Sequence, residues 1–553
     1  ILAQVPAFIV SRRTCRPLSL SPRSPLLTMG AACSQNRPHQ PESAATAPAG
    51  KAPANASATR SGPSGAGKRG HTADQSGHFV LKHAGNVAEV YAIDSKKIGE
   101  GAFGSVCLGK HKASCATRAI KSVPKGNPQM NQLLQMEIAT MKEMDHPHIV
   151  KLFDTFEDRK CVYFAMELCE GGELFDRITK AHNFSESSAA LVMRQILQAV
   201  HYMQTGNLAH RDLKPENFLV LRKDPIEQDG NVLKLIDFGL AKHVAPGQFL
   251  KSRVGTAMYM APQVLMRRYD TQCDMWSTGV IMYILLSGRP PFSGSPEDIM
   301  FDKIRNGRWK FEGSSWEQVS EDAKALVRTM LKMSPKVRAT AEQALDSVWI
   351  KELAPRASDA KLDSAVMEGL RSFKVHNKLK KAALEIVARE MNDNDIKKLR
   401  ETFEALDVNQ DGKLDMAEVI TGIEKSGLGG GGVDVQRIVA GLDVDGSGTV
   451  DYTEFLAATI DRKTSLTKEV LWSAFNVFDQ NGDGKITPNE LKNVLCAPDV
   501  SRHVCAENIG QVMKEVDSSG DGTIEFDEFV ALMTGSMQGA PPSVTPKVQA
   551  GGA

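Results

Sequence analysis

The chain has 553 residues, 42% hydrophobic and 24% charged. This is globular usage, with length for about three or four units at roughly 150 residues each. Disordered, collagenous and disulfide-scaffold classes are excluded, and no run approaches about 18 consecutive apolar residues, which excludes a membrane-spanning helix.

The net charge of +1 hides a split. Residues 401–533 carry 25 Asp and Glu against 10 Lys and Arg, a net of −15 that leaves +16 on the rest. Such asymmetry points to cation binding or to attraction between the two parts. No concentrated basic face with interleaved aromatics appears, so no nucleic-acid partner is expected. The nine cysteines are scattered without a CxxC pair, which argues for a reducing compartment and against a disulfide framework or zinc site. Cys107 and Cys115 are expected as small apolar residues on neighbouring strands.

Residues 1–90 read as a disordered N-terminal extension. Its first 28 residues lack a clear period and are taken as an upstream segment. Met29-Gly30-Ala-Ala-Cys33-Ser34 then fits the N-myristoylation pattern, with Gly30 as acceptor and Cys33 available for palmitate, the second signal that stable anchoring needs. The competing reading is a chance match in a loop. Residues 35–75, rich in Ala, Pro, Ser and Gly, read as a flexible tether. The expected location is cytoplasmic, with membrane attachment where the mature chain begins at Gly30.

From 91 to 350, strand-like alternation gives way to long amphipathic helices. Gly99-Glu-Gly101-Ala-Phe-Gly104-Ser-Val106 is a weak signal alone, because it also matches a dinucleotide fingerprint. Here, however, the glycines lie between two short strands. A strand ending Arg118-Ala-Ile-Lys121 follows, then a helix carrying Glu137, then His210-Arg-Asp212-Leu-Lys214-Pro-Glu-Asn217, Asp237-Phe-Gly239, Ala261-Pro-Gln263 and Asp274-Met-Trp-Ser-Thr-Gly279. Singly, each charged residue reads as a solvated face or a structural ion pair; in this order and spacing they match the protein-kinase signature set.

Over 91–350 the chain therefore resembles a eukaryotic-type protein kinase. The resemblance implies that Gly99, Gly101 and Gly104, with Val106, close over ATP, and that Lys121, held by Glu137, neutralises its α- and β-phosphates. It implies that Asp237 and Asn217 hold Mg²⁺, Asp212 accepts the proton of the attacking hydroxyl and Lys214 steadies the γ-phosphate. Met166 is expected beside the adenine pocket, with Glu167 to Cys169 as the hinge. Lys214 within Lys-Pro-Glu looks like a Ser/Thr kinase. Glu173 and Glu216 resemble acids that favour a basic residue upstream of the target Ser or Thr; ribose binding is the other reading of Glu173.

Two departures stand out. The family's Ala-Pro-Glu is Ala-Pro-Gln263 here, which leaves Arg338 without a buried carboxylate. If nothing else meets that charge the cost is about 3–5 kcal/mol, and the expectation is a softer large lobe that Gln263→Glu would firm. Ser252, three residues before Gly255, stands where relatives regulated by calcium often have an acid. It reads equally as an autophosphorylation site facing Arg211 or as a neutral loop serine.

Residues 391–533 contain a unit repeated four times. Its loops start at Asp407, Asp443, Asp479 and Asp517, spaced by 36, 36 and 38 residues. Candidate ligands are Asp407, Asn409, Asp411, Lys413 (through its carbonyl), Asp415 and Glu418; Asp443, Asp445, Ser447, Thr449, Asp451 and Glu454; Asp479, Asn481, Asp483, Lys485, Thr487 and Glu490; and Asp517, Ser519, Asp521, Thr523, Glu525 and Glu528. Each loop has Gly at position 6, an aliphatic residue at 8 and Glu at 12. Ca²⁺ takes six to eight hard oxygens at about 2.4 Å, and a 12-residue loop turning sharply at Gly gathers them. The residue at 8 is expected to pair adjacent loops through a short strand. Four Ca²⁺ sites are expected, at sensor-range affinities of roughly 10⁻⁷–10⁻⁵ M. No purpose is assigned to the Gly run 427–432.

Between kinase and repeat, 351–390 forms a basic junction carrying Arg371, Lys374, Lys378, Lys380, Lys381 and Arg389. Leu379, Ala382, Ala383, Ile386 and Val387 recur on one helical face, the pattern a calmodulin-like groove binds. A helix packed on the kinase is the alternative. Together with the run Phe373-Lys-Val-His-Asn-Lys378-Leu-Lys-Lys-Ala-Ala-Leu384, the whole order resembles the calcium-dependent protein kinases of plants and protists. The resemblance implies an α+β bilobal protein kinase domain followed by an all-α calmodulin-like domain of four EF-hands (391–533), then a disordered tail (534–553). It implies a monomeric Ser/Thr kinase, inhibited by its own junction and released or braced when calcium draws the junction into the EF-hands. The competing functions are a calcium-sensing membrane scaffold, and a kinase that needs external calmodulin.

Overall fold

The computed structural model describes residues 71–73, 80–101, 104–180, 185–226, 228, 231–353, 378–391, 393–425, 441–460, 466–495 and 509–534. Gly30, Cys33, Arg371, Phe373, Lys374, the Gly run 427–432 and the tail after 534 lie outside them.

Residues 71–166 build a seven-stranded sheet in the order β1-β2-β6-β7-β5-β4-β3. The strands are β1 (His71–Ala73), β2 (Leu81–Ala84), β3 (Tyr91–Gly101), β4 (Gly104–His111), β5 (Thr117–Pro124), β6 (Leu152–Glu157) and β7 (Cys161–Met166). Two of them precede residue 91, which corrects the expectation of disorder over 1–90 and of a tether running to 75: β1 and β2 join the sheet because β2 covers the edge of β6. β2 pairs parallel with β6, and there His83 Nε2 meets Asp154 Oδ1 at 3.0 Å while the Tyr91 hydroxyl donates to Asp154 Oδ2. At the β3–β4 turn, a Cβ on Gly104 would stand 2.0 Å from the Ser122 carbonyl oxygen, so only glycine fits. Cys107 lies on β4, but Cys115 does not lie on a strand: it is exposed in the β4–β5 connection at φ 58°.

Helix α1 (Pro128–Glu143) starts at Asn127, whose side chain accepts the Met130 N–H, with Pro at its first position. These are two standard start signals. Its buried face presents Leu134, Glu137, Ile138 and Met141. The second lobe is helical. α2 spans Leu174–Lys180, and α3 (Glu186–Thr205), capped by Ser185, runs through the core beside the helix Gln272–Ser287. That last helix is predominantly apolar and buried all round, its buried Asp274, Ser277 and Thr278 each hydrogen-bonded.

Near its end, Arg338 is 3% exposed. The expected deficit there is met without a carboxylate. The guanidinium donates to the carbonyls of Lys332, Gln272 and Met333, and to Gln263 Oε1 at 3.0 Å, while Gln263 Nε2 donates to the Met333 carbonyl. Burial lowers the guanidinium to about 10, so it stays charged at neutral pH.

A second core belongs to the repeat and is threaded by the junction helix Lys378–Glu390. Leu379, Ala382, Ala383, Ile386 and Val387 are buried as the pattern required, and so are Leu384 and Ala388 off the expected face. The helix is therefore wrapped rather than laid on a surface. It packs on the helices Tyr452–Thr459, Lys468–Phe478, Pro488–Leu495 and Phe526–Thr534. Its basic residues reach carbonyls: Lys380 Nζ to Leu532 at 2.7 Å and Lys381 Nζ to Gly441 at 2.6 Å. The loops pair through position 8 as expected, Leu414 opposite Val450 and Ile486 opposite Ile524.

Candidate functional site

The cleft is assembled from both lobes. Gly99 and Gly101 end β3, Gly104 and Val106 open β4, Lys121 sits on β5 and Glu137 on α1. Lys121 Nζ lies 2.7 Å from Glu137 Oε1. Burial alone would lower the ammonium, but Glu137 and Asp237 outweigh it and hold the pKa above its ordinary value. Lys121 therefore stays a cation, held beside its carboxylate.

Below it, Asp237 takes φ 66° and the next side chain, Phe238, is buried edge-on against His210 with centroids 5.2 Å apart. Glycine follows because a Cβ at 239 would crowd Asp237 and Glu137, at 3.3 and 3.4 Å. The Asp274 carboxylate, buried and raised in pKa by that burial, accepts the backbone N–H of His210 at 2.7 Å and of Arg211 at 2.9 Å. This fixes the loop that carries Asp212.

Asp212 Oδ1 accepts Thr256 N–H at 2.8 Å and Thr256 Oγ1–H at 2.7 Å, and Oδ2 meets Lys214 Nζ at 2.8 Å. Lys214 Nζ also donates to Thr256 Oγ1 at 3.1 Å, and Asn217 Nδ2 donates to the Asp212 carbonyl at 2.8 Å. The sequence reading gave Thr256 no role; its signal was the Gly255-Thr256 pair. Gly255, at φ 101°, passes so close that a Cβ would lie 2.3 Å from the Arg211 carbonyl oxygen.

Met166 ends β7, opposite Ala119 and Leu152. The hinge side chain of Glu167 is committed to Lys234 Nζ at 3.0 Å and the Lys151 N–H at 3.3 Å, which leaves only main chain for a nucleotide. Cys169 is part-buried, and desolvation pushes its thiol pKa up. Glu173 is half-buried at the start of α2; burial, then Asp176 and Glu216, raise its carboxyl. The Ser252 hydroxyl is exposed, 2.9 Å from Arg211 Nη1.

In the repeat, each closing glutamate turns back on its loop. Glu418, Glu490 and Glu528 accept the N–H of Asn409, Asn481 and Ser519 at 2.9 to 3.0 Å. Asp443, Asp445 and Glu454 each bring an oxygen within 4.8 Å of the others. Burial raises Asp407 to about 8 and lifts Glu418 and Glu454 as well. Asp517 is lowered by the Gly522 N–H, and Asp521 to about 2 by Lys485 and Thr523. Crowded carboxylates that burial disfavours as anions are what a hard divalent cation compensates.

The junction and the repeat also grip the kinase. Arg389 Nη2 donates to the Leu152 carbonyl at 3.0 Å, and Glu390 pairs with Arg118 at 2.9 Å. Thr453 gives its N–H and hydroxyl to Asp145 at 2.7 and 2.8 Å, and Arg222 meets Asp393 at 3.4 Å. Among the described residues, no hydrogen bond or ion pair from 378–534 reaches Asp212, Lys214, Asn217 or Asp237.

The protein kinase domain model matches residues 92–350, and the EF-hand domain pair model matches 396–460 and 468–534. The chain is 40% identical to calcium-dependent protein kinase 5 of Plasmodium falciparum (isolate 3D7) over 459 residues, 83% of this chain and 80% of that protein. It is 38% identical to calcium-dependent protein kinase 3 of Plasmodium berghei (strain Anka), with 82% of each covered, and 40% identical to calcium-dependent protein kinase 17 of Arabidopsis thaliana, with 79% and 82% covered. The chain belongs to the calcium-dependent protein kinase family. A kinase domain of this family implies ATP, usually with Mg²⁺, and its EF-hands imply Ca²⁺.

Proposed function

We propose that the protein is a serine/threonine kinase that its own EF-hands switch on with calcium. The observation carrying the catalytic half is the joined Lys121–Glu137 pair at 2.7 Å. Lys121 binds the α- and β-phosphates of ATP, under a backbone kept close by Gly99, Gly101 and Gly104. Asp237 and Asn217 would hold magnesium; the donor of Asn217 is used on Asp212, which leaves its Oδ1 free to serve. The positive charge held there would offset that of the phosphates. Asp212 accepts the proton of the substrate hydroxyl and Lys214 steadies the transferring phosphoryl group. Positioning and charge stabilisation carry the rate, since phosphoryl transfer asks for little covalent help. Glu173 and Glu216 select a basic residue upstream of the target.

In the absence of calcium, the junction and repeat hold the kinase inactive. With calcium, the junction helix lies within the repeat, and Arg389 and Glu390 brace the sheet at Leu152 and Arg118. The chain works as a monomer. Gly30 and Cys33 carry myristate and palmitate and attach an otherwise cytoplasmic protein to membranes. Loss of Gly30-dependent myristate incorporation would remove that attachment from the proposal.

The test is phosphorylation of a basic Ser/Thr peptide by the full chain, with calcium and with chelator, and no added calmodulin. Activity only with calcium supports both halves. Equal activity in both keeps the kinase and discards the switch. Activity in neither, with calcium still bound, favours a calcium-sensing scaffold.

A further inference from the structure

The four calcium loops are not equivalent in their surroundings. A Cβ built on the loop glycines 446, 448, 482, 484, 520 or 522 would meet nothing within 4 Å. On Gly412 of the first loop it would stand 2.4 Å from the His146 ring and 2.9 Å from Tyr202, both in the kinase domain. The first loop is therefore pressed against the catalytic half at its sharp turn. Its first ligand position, Asp407, is 5% exposed, but Asp479 of the third loop is 3% exposed, so what sets the first loop apart is the contact at its turn.

The sequence of the loop departs at the same spot. Position 4 is glycine in the other three loops, at φ 73–76°, a conformation that suits glycine. The first loop has Gln410 there, at φ 58°. A side chain in the left-handed region is disfavoured, and this one has a use: it is 3% exposed, and its Oε1 accepts from Gln198 Nε2 of α3 at 3.3 Å. Next to it, Asp145 holds Thr453 of the second loop, and Lys413 of the first loop meets Asp451 of the second at 2.9 Å. The third and fourth loops make no hydrogen bond or ion pair to the kinase among the described residues.

We propose that the kinase domain forms one wall of the first calcium site, with Gln198, His146 and Tyr202 facing Gln410 and Gly412, so that this site binds calcium more tightly when docked. The inference rests on reading the loops as calcium sites. Seating the loop on aromatic rings and α3 holds Gln410 at φ 58° and Gly412 at φ 81°, the sharp turn that gathers ligands round one ion, so the docked loop has less ordering left to do when calcium binds. Calcium thus favours docking, and by linkage docking favours calcium at this site by the same factor, typically about 5–150-fold for such couplings. The third and fourth sites fill independently of the kinase.

The test is calcium titration of the full chain against a chromophoric chelator, which resolves the successive binding constants. Gln198→Ala and, separately, His146→Ala touch neither a calcium ligand nor the catalytic residues. Each is expected to weaken one site about five-fold or more and to leave the others unchanged. In a Glu418→Gln background, where the first site is disabled, neither should have a further effect. Gln410→Gly, which restores the residue of the other loops, should be non-additive with Gln198→Ala in a double-mutant cycle. Unchanged constants, equal weakening of all sites, or the same shift in the Glu418→Gln background would each overturn the proposal. Absence of calcium binding altogether would instead overturn the reading of the loops. Binding without calcium-dependent phosphorylation would leave this inference standing and remove only the switch.

Discussion

Replacing Gln263 measures how a buried arginine is satisfied without a carboxylate. Gln263 is 7% exposed, accepts from Arg338 at one end and donates to Met333 at the other. Gln263→Ala removes a hydrogen bond to a charged group, about 1.5–3 kcal/mol, and a neutral one, about 0.5–1.5 kcal/mol. Together these come to about 2–4 kcal/mol. At about 2–4 °C per kcal/mol for a domain of this size, the apparent Tm should fall by about 5–15 °C.

Gln263→Glu is the sharper probe. A carboxylate about 4 Å from the guanidinium gains about 4 kcal/mol at an effective dielectric of 20. Against this, a second buried charge costs several kcal/mol to desolvate, and a carboxylate oxygen would replace the donor that faces the Met333 carbonyl. Because three carbonyls already serve Arg338, the net change should stay within about 1 kcal/mol. The assay is scanning calorimetry of the full chain, following the transition that shifts with added nucleotide. A rise above about 4 °C for Gln263→Glu would refute the reasoning and show that Arg338 does lack a counter-charge. An unchanged Tm for Gln263→Ala would show that the network contributes nothing.

Thr256→Val keeps the backbone bond to Asp212 but removes the hydroxyl bond. The kcat should fall by about 10–100-fold, the equivalent of about 1.5–3 kcal/mol for a bond to a charged group, with little change in KM for ATP. Lys151, 6% exposed and 5.2 Å above the Tyr452 ring, is lowered by burial from 10.5 to about 8. The folded protein therefore binds fewer protons than the unfolded chain between about pH 8 and 10.5, and stability rises with pH across that window. Lys151→Met should flatten this rise and increase Tm at pH 7, where the charge costs about 3 kcal/mol; thermal melts at pH 7 and 9.5 check both. Ser252, beside Arg211, should be labelled by radioactive ATP during calcium activation, and Ser252→Ala should lower stimulated activity. Full activity in that variant would assign the serine to the loop alone.

Much of the cleft was legible because its chemistry is local in sequence. Glycines, a lysine on a strand and two aspartates in fixed short motifs announce themselves wherever the chain places them. The loops were legible for the same reason, since one ion gathers ligands from twelve consecutive residues. What escaped depends on pairs far apart in the chain. Thr256 acts 44 residues from Asp212, and Asp145 meets Thr453 across 308; neither carries a local signature. The helical period gave the junction one apolar face, but Leu384 and Ala388 are buried on the other because four helices surround it. The deficit expected at Arg338 failed for a related reason: carbonyls are available at every residue and do not appear in a side-chain pattern.

The strand β2 has a practical consequence for anyone shortening this protein. A recombinant fragment begun at residue 91, where the kinase motifs start, would lose the strand that covers β6. Asp154 would keep only its tyrosine partner, and Phe156 would lose the His83 ring stacked on it at 4.4 Å. The bared edge would offer unpaired N–H and C=O groups to other chains, a known route to aggregation. A fragment ending before Glu390 would likewise strip Arg118 of its carboxylate. Poor solubility of such pieces would reflect where the cuts were made, and soluble material should come from truncations that begin ahead of β2 and run through the last helix.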